Sequence, residues 1–284
     1  MAKKDKTPLL LKVIRWLFPK LERLSPTLAA WYFRRVFFKP LRYPIPDKEK
    51  PLLQQAHRFT VTAAGLNIQG YSWGEPTHPM VLLVHGWAGR CTQFRKFIPA
   101  LLAQGYFVVG FDGPAHGLSQ GSRTHILEFE AALLAVIEKT KQPVAIITHS
   151  FGGAASLLAI ANGLRVNTLI NIASPTIGDE IINTYLRAIN GSDKIRVLFK
   201  QYIQKTYGKA FEEFTALHFI NKIKYPLRLL LIYDEHDEEV TLAHPYALME
   251  RYPAAELMVT TTLGHTRILK DDAVVQRALQ FIKG

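Results

Sequence analysis

Beyond residue 50, apolar positions along the chain follow two alternating rhythms. Residues 57–62 and 67–73 alternate apolar and polar positions and are joined through Ala63-Ala64-Gly65, which predicts a pair of antiparallel strands. Short apolar runs follow at 80–85, 106–112, 144–149, 168–173, 227–233 and 256–261. Between them, apolar residues recur every three or four positions over 92–104, 125–139, 151–162, 243–251 and 271–282, the spacing of an amphipathic helix. Strands alternating with helices predict a largely parallel sheet with helices on both faces.

The rhythm breaks once. Between Ser174-Pro175 and Tyr225-Pro226 the chain shows no strand pattern and reads as helices over 180–190, 195–206 and 210–219. An insertion at about 175–225 predicts a helical cap over the C-terminal edge of the strands, where α/β sheets bind their ligands. Its apolar residues, among them Ile182, Tyr185, Phe199 and Phe211, either line an apolar pocket or pack the cap onto the body.

Charge divides the chain into an arm, residues 1–50, and a body, residues 51–284. Of the formal net charge of +12, the arm carries 13 Lys/Arg against 4 Asp/Glu, so the body is nearly neutral. In the arm, Lys12, Arg15, Lys20, Arg23, Arg34, Arg35 and Lys39 interrupt every apolar run, which excludes a span of ~20 apolar residues. The same interruption, with no small-residue cleavage site after it, argues against a signal peptide. Cations interleaved with Trp16, Phe18, Trp31 and Phe33 suit an amphipathic helix at an anionic membrane surface, engaged through residues 1–40. The competing reading is a helix packed on its own domain or on a second subunit. Nucleic acid is not expected, because the aromatics cluster with aliphatic residues. Pro40, Pro44, Pro46 and Pro51 read as a linker or an extended wrap. The single cysteine, Cys91, excludes an intrachain disulfide and fits a reducing compartment. The expected location is cytoplasmic, peripheral at the inner face of a membrane.

Candidate chemistry sits at the strand ends. Ile147-Thr148-His149-Ser150-Phe151-Gly152-Gly153 joins an apolar strand to a helix through a serine flanked by small residues, a turn that exposes the hydroxyl as a nucleophile. His85-Gly86-Trp87-Ala88-Gly89 ends an earlier strand in a Gly-rich turn. The backbone N–H groups of Trp87 and Phe151 are the candidate oxyanion donors. Phe111-Asp112-Gly113-Pro114-Ala115-His116-Gly117 reads as scaffold, and so does His85. After the 227–233 run, Asp237 is the candidate acid, with Asp234 in reserve. Gly264-His265 after the last run places a histidine that can reach back to the serine. His236 has no further ligands at metal-binding spacing, so no metal and no cofactor is expected.

Taken together, these residues resemble the α/β-hydrolase family over roughly 57–284. The resemblance implies an eight-stranded, mostly parallel sheet with a helical lid after the sixth strand. It implies Ser150 as nucleophile, His265 as general base and then acid, and Asp237 as the orienting carboxylate. Two positions depart from the family pattern: Thr148 stands where the elbow carries glycine, and Asp234 where relatives often do. The expected activity is that of a serine hydrolase acting on a carboxylic ester or thioester with an apolar, lipid-like acyl group. A carbon–carbon bond hydrolase would use the same three residues, and a non-catalytic member binding a small molecule under the cap is the alternative from another class.

Overall fold

The computed structural model describes residues 9–284; the first eight residues of the basic arm lie outside the described residues. In chain order the elements are α1 (Leu9–Leu24), α2 (Pro26–Phe37), α3 (Lys50–Gln55), β1 (His57–Ala63), β2 (Leu66–Trp73), β3 (Met80–Val84), α4 (Phe97–Ala103), β4 (Phe107–Phe111), α5 (Ile126–Lys139), β5 (Ala145–His149) and α6 (Phe151–Ala161). They continue as β6 (Thr168–Ile172), α7 (Gly178–Ile189), α8 (Asp193–Tyr207), α9 (Ala216–Ile220), β7 (Arg228–Asp234), α10 (Ala243–Arg251), β8 (Glu256–Thr260), α11 (Gly264–Arg267) and α12 (Asp272–Lys283). Two compact units result, one of residues 39–176 with 214–284, the other joining the N-terminal helices to residues 177–213.

The larger unit is built on an eight-stranded sheet of order β1-β2-β4-β3-β5-β6-β7-β8. Strands β1, β2 and β4 pair antiparallel, and every pairing from β4 through β3 to β8 is parallel. The first hairpin closes over Ala64 (φ 48°) and Gly65 (φ 74°), the two positive φ values that a two-residue turn with the twist of its strands requires. Successive residues of a strand face opposite sides of the sheet, so each parallel strand feeds two cores. Leu82, Val84, Ile146, Leu229 and Leu231 join Phe129, Leu133 and Leu157 on one face. Val81, Leu83, Ile147, Leu230 and Ile232 join Phe94, Phe97, Val275 and Leu279 on the other. The strand order reverses direction between β3 and β5, and a switch point of this kind opens a crevice beyond the carboxyl ends of the strands. Ser150 follows β5 and the His85-Gly86 turn follows β3.

Two of the expected helices begin differently. Residues 92–104 divide into a 3₁₀ turn, Cys91–Phe94, and then α4; residues 210–219 divide into the turn Phe211–Phe214 and then α9. The proline-rich stretch is an extended wrap on the larger unit. Arg42 holds it there by donating to the carbonyls of Ala115, Ser119 and Gly121, at 2.9, 2.6 and 3.0 Å.

In the smaller unit the N-terminal helices pack against α7 and α8. Ser25 caps α2, accepting from the Leu28 N–H at 3.4 Å, and Pro26 occupies the first turn, where no N–H is needed. Ala29, Ala30 and Phe33 of α2 are buried, and Phe33 meets Phe199 of α8 edge-on at 5.2 Å. Arg15 of α1 donates to the Ala188 carbonyl at 3.0 Å, and Asn190 donates back to the Arg15 carbonyl at 3.3 Å. No described helix is long and apolar enough to cross a membrane.

Candidate active site

Ser150 is the single residue between β5 and α6, and its backbone is held at φ 50°, ψ −124°. That conformation costs a non-glycine residue ~1–3 kcal/mol and persists only where its surroundings enforce it. The enforcement is visible. A side chain on Gly152 would strike the Val84 and His85 carbonyls, and a Cβ on Gly86 would lie 2.7 Å from that of Ser150. The elbow is therefore pressed onto the end of β3. Thr148 does not disturb it: its buried hydroxyl turns toward β6 and donates to Asn171 Oδ1 at 2.8 Å, with the Ile170 carbonyl at 3.2 Å.

His265 opens α11, just after β8. Its Nε2 lies 3.1 Å from Ser150 Oγ, and its Nδ1 lies 2.7 Å from Asp237 Oδ2. The other oxygen of Asp237 accepts from the N–H groups of Glu239 (2.8 Å) and Val240 (2.9 Å), which fixes the carboxylate plane. Burial alone would lower the His265 pKa. The hydrogen bond and charge of Asp237, joined by the charge of Glu239, outweigh it and raise that pKa above its ordinary 6.5. Glu239 reaches within 3.9 Å of Nε2 from an exposed position.

Asp234, three residues earlier, makes no contact of this kind with the imidazole. Its Oδ2 accepts from Thr260 Oγ1 (2.8 Å) and the Leu263 N–H (3.0 Å), and its Oδ1 accepts from the His236 N–H (3.0 Å). Burial would raise its pKa, but these donors and the Gly264 N–H more than offset that and lower it. Asp234 thus clamps the loop that carries His265, while Asp237 meets the ring.

Trp87 and Ala88 are the central residues of a turn closed by the Gly89 N–H to the Gly86 carbonyl at 3.0 Å, with Ala88 at φ 56°. The Ala88 N–H is taken by His116 Nε2 at 3.0 Å. Phe151 heads α6, in the first turn of a helix, where backbone N–H groups have no acceptor within the helix. The rings of Trp87 and Phe151 meet edge-on at 5.2 Å, and both are half-buried.

Two positions that the sequence did not single out complete the site. His149 and Gln93 form a relay to the back of the His265 loop. The Arg90 N–H donates to Gln93 Oε1 (3.1 Å), Gln93 Nε2 donates to His149 Nδ1 (3.1 Å), and His149 Nε2 donates to the His265 carbonyl (2.8 Å). Burial, then the neighbouring His265, pushes the His149 pKa down to about 3, so the ring is neutral and keeps one donor and one acceptor. A histidine beside the serine was the available signal, but sequence order does not show that its ring would reach residue 265.

The sequence profile of the alpha/beta hydrolase fold matches residues 79–272, which contain Ser150, Asp237 and His265. The chain belongs to the alpha/beta hydrolase fold family. It is 35% identical over 107 residues to an uncharacterized hydrolase, YugF, of Bacillus subtilis; the match covers 36% of this chain and 38% of the length of YugF. Its fold is similar to that of the Pyrococcus furiosus esterase Pf2001, with a TM-score of 0.68 at 22% identity over 86% of this chain and 98% of the esterase. It is also similar to that of the thioesterase domain from the curacin biosynthetic pathway, with a TM-score of 0.58 at 19% identity over 80% of this chain and 99% of that domain.

Proposed function

We propose that this protein is a serine hydrolase that cleaves carboxylic esters or thioesters through an acyl-enzyme. The observation that carries the reading is the continuous chain from Asp237 Oδ2 through both nitrogens of His265 to Ser150 Oγ, at 2.7 and 3.1 Å. Because Asp237 accepts from Nδ1–H, the lone pair of the neutral ring is at Nε2, facing the hydroxyl. Ser150 Oγ attacks the substrate carbonyl as Nε2 takes its proton. The tetrahedral oxyanion is held by the backbone N–H groups of Trp87 and Phe151. The imidazolium then protonates the leaving alcohol or thiol as its bond to the acyl carbon breaks. Water attacks the acyl-Ser150 ester, gives its proton to the same nitrogen, and the carboxylic acid departs as the serine recovers its proton.

The aromatic edges beside the serine favour an apolar acyl group: Trp87 packs on Phe151, and Phe151 packs on Phe129 at 5.2 Å. Serine in the elbow disfavours the haloalkane and epoxide chemistry for which related folds use an aspartate. The fold is shared with an esterase and a thioesterase, which fits either leaving group. The test is a panel of p-nitrophenyl esters and acyl thioesters of increasing chain length, read against Ser150→Ala. Turnover that rises with acyl length and disappears in Ser150→Ala is expected. Equal turnover in the two proteins, or none with any acyl donor, contradicts the reading.

A further inference from the structure

We propose that the outer faces of α1 and α2 form a docking surface for an anionic lipid bilayer. Each helix is apolar on two sides. The inner sides, with Phe18, Ala29, Ala30 and Phe33, are buried within the smaller unit. The outer sides remain apolar and open to solvent. Val13, Trp16, Leu17 and Leu24 recur at helical spacing along α1, and Leu28 and Trp31 are exposed three residues apart on α2. Leu24 is 86% exposed and Trp16 63%. A water-soluble helix does not need a second apolar face; a helix lying in a membrane interface does.

Charge selects the occupant. Residues 9–38 contain six cations, Lys12, Arg15, Lys20, Arg23, Arg34 and Arg35, against one carboxylate, Glu22. Glu22 is engaged by the Ser192 N–H at 3.2 Å. Two of the cations lie on the exposed tryptophans themselves, Lys20 Nζ 3.1 Å above the Trp16 ring and Arg35 4.2 Å from the Trp31 ring. Tryptophan at headgroup depth, with lysine and arginine extending to the phosphates, is the chemistry of an anionic lipid–water boundary. Lysine is depleted from the cores of protein interfaces, which makes a protein partner the poorer fit. Exposed leucines between the cations do not suit nucleic acid. The helices are too short and too charged to cross the bilayer, so they lie along it.

This surface is independent of the chemistry at Ser150, and so is its test. The full chain is floated on a sucrose gradient with vesicles of phosphatidylcholine, with or without phosphatidylglycerol, alongside three variants. The wild type and Ser150→Ala should float with the anionic vesicles only, less so as salt is raised. Trp16→Ala/Trp31→Ala and Lys20→Glu/Arg23→Glu/Arg35→Glu should each lose about tenfold or more of that partitioning. Both should retain the wild-type circular dichroism, melting temperature and turnover of a soluble ester, because the substituted side chains are on the outer faces. The proposal is overturned if the wild type stays at the bottom of the gradient with both vesicles, floats equally with both, or floats no better than the folded tryptophan and charge-reversal variants. A wild-type dimer in sedimentation that the tryptophan variant dissolves, without flotation, would assign the surface to a second copy instead.

Discussion

Two clusters of histidine and aspartate flank Ser150, made of the same residue types, yet only one is arranged for chemistry. In the first, Asp112 accepts from Tyr71 Oη, the Cys91 N–H and the Leu118 N–H, each at 2.9 Å. His85 donates to the Gly86 carbonyl and accepts from the Gly113 N–H, both at 2.8 Å. His116 donates to the Pro114 carbonyl at 2.8 Å and accepts from the Ala88 N–H. Every ring nitrogen is committed to backbone, and burial pushes the two pKa values down to about 4 and about 3. In the second cluster, His265 has the Asp237 carboxylate on one nitrogen and the Ser150 hydroxyl on the other, with the exposed Glu239 carboxylate 3.9 Å away, and its pKa is raised. Saturated hydrogen bonding leaves the first cluster no atom for chemistry; a carboxylate on one side and a hydroxyl on the other is the arrangement that the proposed reaction requires of a base.

The contrast can be broken most forcefully at the two acids. Asp237→Asn should lower kcat by ~10³–10⁴ with the fold intact, because the amide no longer holds the imidazole tautomer. Asp112→Ala should do the opposite. It strands three donors and should cost several kcal/mol in urea unfolding, at ~1–3 kcal/mol per unsatisfied group, while the folded fraction retains its kcat. If Asp112→Ala lost turnover without losing stability, the scaffold assignment would be wrong.

A smaller effect is expected at His149, which holds the His265 carbonyl at 2.8 Å and sets its ring 4.8 Å from the imidazole. His149→Ala should reduce kcat roughly tenfold with little change in KM, since it loosens a base whose placement tolerates little error. His149→Gln, which can donate to the same carbonyl, should recover part of the loss. No recovery would mean that the ring fills space rather than orients the loop.

The smallest expected effect is a shift in pH dependence. The base must be neutral to accept a proton, so activity should be lost as pH falls through a His265 pKa above 6.5. Glu239→Gln removes one of the charges that raise it, so the acidic limb should move to lower pH while the alkaline plateau changes little. An unmoved limb would show that solvent screens Glu239 completely.

How much of this was legible in the sequence depended on whether the information was local. The inner parallel strands were readable because both their faces are buried, leaving unbroken apolar runs such as Ile146-Ile147 and Leu229-Leu230-Leu231; the edge strand β8 is only partly buried. That Ser150 and His265 would both stand at strand ends was readable, and the structure brings their side chains within 3.1 Å. The separate tasks of Asp234 and Asp237 were not: one ends β7 and the other stands three residues past it, and only the path of the loop decides which oxygen meets a ring. Nor was the Gln93–His149 relay, whose members are far apart in the chain from residue 265. The arm's composition suggested a membrane or a packed helix as alternatives. The structure packs one face of each helix and leaves the other exposed, a division that depends on where Phe199 and Ala188 lie, not on local pattern.

The most direct measurement is the rate at which a fluorophosphonate labels the folded protein, with the site located by peptide mass spectrometry. A single adduct on Ser150 is expected, absent in Ser150→Ala, with labelling slowed by orders of magnitude in His265→Ala. An adduct elsewhere, or equal rates in wild type and His265→Ala, would show that the serine is not activated by the histidine beside it.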